Sequence, residues 1–444
     1  MDGLLIALEG AVVILAIFMG VRQGGIGLGV WGLVGLFVLV FVFQLNPGSP
    51  PTDAVFIVIT VITAASVMQA AGGIDWMVGV AARAIETHPE RVTYYAPFLA
   101  FFFTVGAGTG NIYYPLLPVI YESAYSKKIR PERPLAAAAL ASQVGIICSP
   151  VSAATASLTA LLEPSGFSLG KILLIMWPAS VVALLVVAAV QNRRGKELVD
   201  DPVYQDRLGK GLLQEPQAVD VDKMLALPPE AKRSAIIFLA GVGVIVLFGL
   251  FGGLRPTVGT GDAAAQVSVT TTIQLVMGVV AGLIFLTCRV KAADVPKQST
   301  FGAGVVGAIA LFGIAWMANT FIAAHEDVIV DVLGDAVEQA SWLFGVALFV
   351  VAALTTSQST ATNAIVPIGL SLGLTAGTIT AFWPSVTGIY FLPANGSQVA
   401  TVAFDQTGTT KIGKAVLNHS FMIPLLIFTA VSVAVALPIS ALVG

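Results

Sequence analysis

The feature that most limits what this chain can become is the recurrence of apolar runs of membrane-crossing length. Runs at 4–20, 27–43, 54–71, 235–254 and 416–442 approach or exceed the length that a hydrocarbon core of ~30 Å requires at about 1.5 Å per helical residue. No water reaches backbone N–H and C=O groups at that depth, so each run satisfies them internally as a helix. The alternating pattern of a membrane barrel is missing. Composition agrees, with 57% apolar and 11% charged residues where soluble domains carry roughly 25% charged. An all-α polytopic membrane protein is expected, and a soluble enzyme is excluded.

The chain begins MDGLLIALEG, with neither a basic n-region nor a small-residue cleavage pattern, and reads as a retained first span. Cys148 and Cys288 lie inside apolar runs and are expected to pack rather than pair or bind metal. Charge placement sets the topology. If the Lys/Arg-rich stretch 191–233 is cytoplasmic, with five spans before it and five after, only Lys171 and Arg255 of the 22 basic residues fall on the outer face. Segment 324–340, which holds Glu326, Asp327, Asp331, Asp335 and Glu338, then lies outside. Both termini are then expected to face the periplasm or exterior of a cell's inner membrane.

An odd number of spans per half makes the halves inverted, as in many secondary transporters. Matched motifs support two repeats. Asn111 precedes Pro115 by four residues, as Asn363 precedes Pro367. Ser142, Gly145, Pro150 and Ser152 recur at one constant offset as Ser385, Gly388, Pro393 and Asn395. The expected layout is a first repeat over 1–190, with scaffold spans in 1–71, a re-entrant hairpin at 94–126 and a broken helix at 134–162. A linker over 191–233 follows. The second repeat covers 234–444, with scaffold spans in 234–323, a hairpin at 341–374 and a broken helix at 377–403.

Each hairpin has a polar tip, at 106–111 and 355–363, and each broken helix an interruption, at 149–153 and 392–398. Proline at the interruptions removes a backbone donor and disfavours helix before it. Irregular backbone at membrane depth belongs where it lines a polar cavity. The candidate substrate residues are therefore Thr109, Gly110 and Asn111 at the first tip and Ser149, Pro150 and Ser152 at the first break. Their counterparts are Ser359, Thr360, Thr362 and Asn363 at the second tip, and Pro393, Asn395 and Ser397 at the second break.

No Lys or Arg occurs between Arg91 and Lys127 or between Lys297 and Lys411. An anionic substrate would have to be held by hydroxyls, amides and helix N-termini. The same oxygens suit a sodium ion near Asn111, Asn363 and Asn395. The motifs also lack Asp, Glu and His. Glu9, Glu122 and Glu163 are the nearest carboxylates and read as boundary residues, so substrate exchange or sodium coupling fits better than a proton relay. His88 and His325 read as loop residues and His419 opens the last span. None has a second ligand at metal spacing, and neither a metal, another cofactor nor nucleic acid is expected.

Small polar residues in membrane helices serve mainly close packing, and packing also accounts for the GGIGLG run at 24–29. The three asparagines weigh more, because a buried amide is costly unless paired. Tyr113 and Tyr114 suit either cavity closure or interfacial anchoring.

Read together, GVRQGGIGLG, VMQAAGGIDWMV, AGTGNIYYPLLPVI, IRPERPLAAAALASQVGIICSPVSAA and DQTGTTKIGKAVLNHSFMIP resemble the anaerobic C4-dicarboxylate transporters of the Dcu family, DcuA/DcuB branch, nearly end to end. The resemblance implies carriage of fumarate, succinate, malate or aspartate across an inner membrane, often as exchange. It also implies a homodimeric elevator-type architecture in the bilayer. A cation or proton antiporter, or another organic-anion carrier of the same architecture, is the alternative. An antiporter would be expected to place a carboxylate in the breaks. An intramembrane enzyme lacks any matching motif.

Overall fold

The computed structural model describes residues 2–443 apart from 24–25, 214–220, 260–263, 340, 394 and 413–417. The side chains of residues 2, 21, 28, 53, 54, 111, 223, 224, 303, 311, 315, 322 and 326–339 are also outside the described set. The first half begins with α1 (Asp2–Gln23) and α2 (Gly27–Phe37), which continues as a π-helical turn, Val38–Val42. α3 (Thr52–Ala70) ends beside Gly72, whose φ of +83° suits glycine alone, and α4 (Gly73–Thr87) departs at 71°. α5 (Val92–Ala107) and α6 (Tyr113–Ser126) form a hairpin. α7 (Glu132–Cys148) and α8 (Ala153–Leu162) are two halves of one broken helix, and α9 (Leu169–Asn192) closes the half.

Short helices α10 (Pro202–Gly209) and α11 (Val221–Leu225) lead to α12 (Pro229–Leu250) and α13 (Val269–Cys288). A two-residue antiparallel ladder joins Thr257–Val258 to Ala265–Gln266 between them. α14 (Ser299–Gln339) precedes a second hairpin, α15 (Trp342–Thr355) and α16 (Gln358–Ser371). α17 (Ala376–Phe382) runs into a 3-10 segment, Trp383–Tyr390, before α18 (Gly396–Phe404) and α19 (Met422–Val443).

By length and hydropathy, seven of the described helices could cross a membrane, or eight if α3 and α4 form one bent span. The ten expected from sequence also counted two segments that are not plain long helices. α2 gains its length only through the π turn, and the α17–α18 segment is 3-10 and irregular in its middle.

α7 is the buried axis of the molecule. Its run Leu135, Ala136, Ala137, Ala138, Ala139, Leu140 and Ala141 is wholly inaccessible, and the small residues let α5 and α9 approach closely. α2 crosses α14 backbone to backbone, because a Cβ on Gly29, Gly32 or Gly313 would overlap main-chain atoms of the partner helix. α3 packs on α13 and α14, α9 on α19, and α16 on α14 and α8.

The start of the 191–233 stretch folds back onto the entrance of α7. Arg130 pairs with Asp201 and, at 2.7 Å, with Glu132. Arg133 pairs with Glu197 at 2.9 Å, and Arg194 donates to the Ser420 carbonyl at 2.7 Å. Burial would raise the Asp201 pKa, but N–H donors at Tyr204 and Val203 and the Arg130 guanidinium outweigh it and hold the carboxyl below its usual range.

Candidate functional site

Three helices begin at one cavity because three polar residues cap them. Ser152 caps α8, its hydroxyl accepting from the Thr155 N–H at 3.2 Å. Ser357 caps α16 by accepting from the Thr360 N–H at 3.2 Å. Asn395 caps α18 in a capping box, accepting from the Ser397 N–H at 3.0 Å while Gln398 Oε1 accepts from the Asn395 N–H at 3.1 Å. The first N–H groups of each helix have no intrahelical carbonyl to bond, so the positive ends of three helices converge on this space.

The cavity holds about 370 Å³ and is lined at the tips and breaks by Thr109, Gly110, Ser152, Ser359 and Asn395. Gln143, Gln358 and Tyr114 complete its polar wall, and α3 and α14 supply the opposite, mainly apolar one through Val58, Ile62, Gly304 and Gly307. Among the described residues, no charged side chain lines it. Asn395 Oδ1 accepts from Ser397, and its amide nitrogen has no protein partner among the described residues. Gly108 closes the first tip with a φ of +70°, and a Cβ there would press on the Val151 carbonyl. At the second tip a β-branched residue, Thr356, holds the left-handed conformation with φ +50°, a position that stores strain beside the cavity.

The other expected site residues lie behind this wall. Ser149 is buried and donates to the Val105 carbonyl at 2.7 Å, tying the first break to the first hairpin, with Pro150 buried beside it. Thr360 sits 2.9 Å from the Ser357 hydroxyl. Thr362 accepts from Trp383 Nε1 at 2.8 Å, so it packs the second broken helix. Ser397 is buried against Tyr390, and Pro393 is half-buried outside the lining.

Asn363 is not at a tip. The second turn of chain is only Thr356 and Ser357, and Asn363 lies inside α16, donating to Ser157 at 3.2 Å and to the Ser359 carbonyl at 2.8 Å. It lines a different cavity of about 510 Å³ with Ser49, Ser157, Glu163 and Asn319. An apolar cluster of Val58, Ile62 and Ala308, with Ala153 and Ala160 against it, packs among α3, α14 and α8. The Asn111 backbone forms part of the 3-10 turn Gly110–Ile112, and its side chain lies outside the described residues.

Reading the sequence missed Gln143 and Gln358. Both stand in motifs already singled out, SQVGIICSP and TTSQSTATN, and a buried amide in apolar surroundings was the available signal. The structure also corrects two readings. Glu9 is fully buried rather than at a boundary, and His325 lies within α14 rather than in a loop, its Nε2 against Glu9 Oε2.

The family model of the anaerobic C4-dicarboxylate membrane transporters matches residues 5–444. The anaerobic C4-dicarboxylate transporter DcuB of Escherichia coli O6:H1 is 36% identical over 437 residues, covering 97% of each chain. The C4-dicarboxylate transporter DcuA of Escherichia coli K12 is 36% identical over 421 residues, 95% of each. DcuA of Wolinella succinogenes is 34% identical over 438 residues, 97% of this chain and 98% of the relative.

Proposed function

The chain belongs to the anaerobic C4-dicarboxylate membrane transporter family, and from that premise we propose that it is a secondary carrier that binds one four-carbon dicarboxylate in the 370 Å³ cavity. The observation that carries the assignment is the wall itself, polar, uncharged and built at three helix N-termini. Such a site meets anionic charge with N–H donors and partial helix charge, without a cationic side chain. Asn395 and Thr109 add side-chain polar groups. Succinate, fumarate, malate and aspartate, the substrates to which the family resemblance points, have two carboxylates to engage separate helix ends.

Inverted repeats account for the pairing of elements. α2 lies on α14 as α3 lies on α13, and α5 lies on α7 as α15 lies on the 3-10 segment before α18. In this reading the hairpins and broken helices move as one body past α3 and α14, sliding over the Val58, Ile62 and Ala308 cluster, so that the two cavities mark alternate sides of the path. The carrier works as a homodimer in a bacterial inner membrane with both termini periplasmic. It operates by dicarboxylate exchange, with sodium held by oxygens near Asn395, Asn363 and Asn111 if uptake is ion-coupled.

The experiment is uptake of labelled succinate and fumarate by purified protein in liposomes, preloaded or not with unlabelled dicarboxylate, with and without sodium. Stimulation by internal dicarboxylate is the expected result. Absence of uptake under every condition would refute the assignment.

A further inference from the structure

We propose that the groove where the end of α9 meets the start of α19 binds an anionic phospholipid, with Arg193 taking the headgroup phosphate. The groove holds about 460 Å³ and is lined by Val186, Ala189, Val190, Arg193, Arg194 and Ile423. It shares no lining residue with the dicarboxylate cavity. Positions 186, 189, 190 and 193 stand at i, i+3, i+4 and i+7, so one stripe of α9 and its C-cap makes most of the wall.

That stripe changes from apolar to cationic where the helix ends. By length and hydropathy both α9 and α19 could cross a membrane, over Leu169–Asn192 and Met422–Val443, and the groove lies at the end they share. Val186, Val190 and Ile423 are exposed, and exposed Val182 and Leu426 continue the apolar surface along the two helices. Roughly 16 Å of helix rise separates Val182 from Arg193, enough to lay much of an acyl chain along the wall. An apolar wall topped by guanidinium groups at the edge of the hydrocarbon complements a lipid with a negative headgroup. A soluble anion would gain nothing from the wall.

The two arginines differ in what already holds them. Arg194 donates to the Ser420 carbonyl at 2.7 Å and to Gln191 Oε1 at 3.3 Å, and stands 4.0 Å from Glu132. Those contacts tie α9 to the turn before α19 and account for Arg194 structurally. Arg193 is exposed, and its guanidinium has neither an ion pair nor a hydrogen bond among the described residues. The helix dipole favours a cation here, but Arg194 alone would serve that purpose. The nearby carboxylates are committed elsewhere, Glu132 to Arg130 and Ser420 and Glu197 to Arg133. Exposed Lys411, whose N–H donates to the Ser420 hydroxyl at 2.9 Å, adds positive charge to the rim. Arg193 is therefore free to offer its planar fork of donors to a phosphodiester.

The test is titration of the detergent-purified full chain with phosphatidylglycerol and with phosphatidylcholine of the same acyl chains, counting bound lipid by native mass spectrometry. Wild type is compared with Arg193→Gln and with Arg91→Gln, which removes an exposed arginine outside the groove. Wild type should bind the first phosphatidylglycerol at least about fivefold more tightly than phosphatidylcholine, the weight of one basic residue at an anionic surface. Arg193→Gln should cut that preference below about twofold, and Arg91→Gln should leave it intact. No preference in the wild type, its retention in Arg193→Gln or an equal loss in both variants would overturn the proposal. Displacement of the lipid by inorganic phosphate would overturn it in favour of a soluble anion. A dimer mass lost in Arg193→Gln at unchanged lipid preference would overturn it in favour of a second copy of the chain. The wild-type comparison of the two lipids stands by itself if a variant fails to fold.

Discussion

Gln358 Nε2 donates to the carbonyl of Gln143 at 3.0 Å, joining the first turn of α16 to α7 across 215 residues of sequence. The bond fixes the amide, since only the nitrogen can donate to a carbonyl. Gln358→Ala should lower stability by about 1–3 kcal/mol, the usual cost of leaving a buried carbonyl without its donor, read as a fall in the thermal midpoint. Gln358→Glu should abolish binding by placing a carboxylate in a cavity built for one. Competition binding on purified protein checks the second, and wild-type affinity in Gln358→Glu would move the substrate elsewhere.

Asn395 has two separable tasks, capping α18 through Oδ1 and offering its nitrogen to the cavity. Asparagine and aspartate cap equally well, whereas alanine costs ~1 kcal/mol. Asn395→Asp should keep the thermal midpoint while losing substrate binding. Asn395→Ala should lose about that much stability as well. Thermal unfolding with and without succinate distinguishes the two.

Asn363 and Ser157 face the second cavity rather than the first. Asn363→Ala should therefore leave equilibrium affinity within about twofold of wild type but slow exchange, because it lies on the proposed path of the moving body. Unequal effects on Kd and on counterflow rate are the result to look for.

Gly313 and Gly29 meet backbone to backbone where α14 crosses α2. Gly313→Ala has no flexible side chain to push aside and should destabilise the scaffold by ~1–3 kcal/mol, the cost of overpacking a tight contact. The thermal midpoint should fall without any change in affinity for succinate in the folded fraction.

The Asp201 carboxyl is held below its usual range, with hydrogen bonds and Arg130 outweighing burial. A group whose folded pKa is depressed stabilises the fold above its unfolded value, near pH 4, and loses that contribution as pH falls through the folded value. Wild-type protein should accordingly lose stability on acidification below roughly pH 4. Asp201→Asn should be less stable at neutral pH and show a shallower acid limb.

Local patterns in the sequence were enough to place the helices and their polar interruptions. Hydropathy marks segments such as α9 and α19 because no open backbone survives in hydrocarbon, and Pro150 and Pro393 mark breaks because proline lacks the N–H that a helix interior uses and disfavours helix at the residue before it. The polar tips and breaks were legible for the same reason, and Thr109, Ser152, Ser359 and Asn395 do meet at one cavity. Which side of a helix a residue faces was not legible. Asn363 follows Ser359 by one turn on α16, yet the two line different cavities, because α8 and α3 pack between them in a way that depends on distant chain. The Glu9–His325 pair spans 316 residues. Each looked like a boundary or loop residue alone, and only the packing of α1 on α14 brings the two side chains into one buried contact.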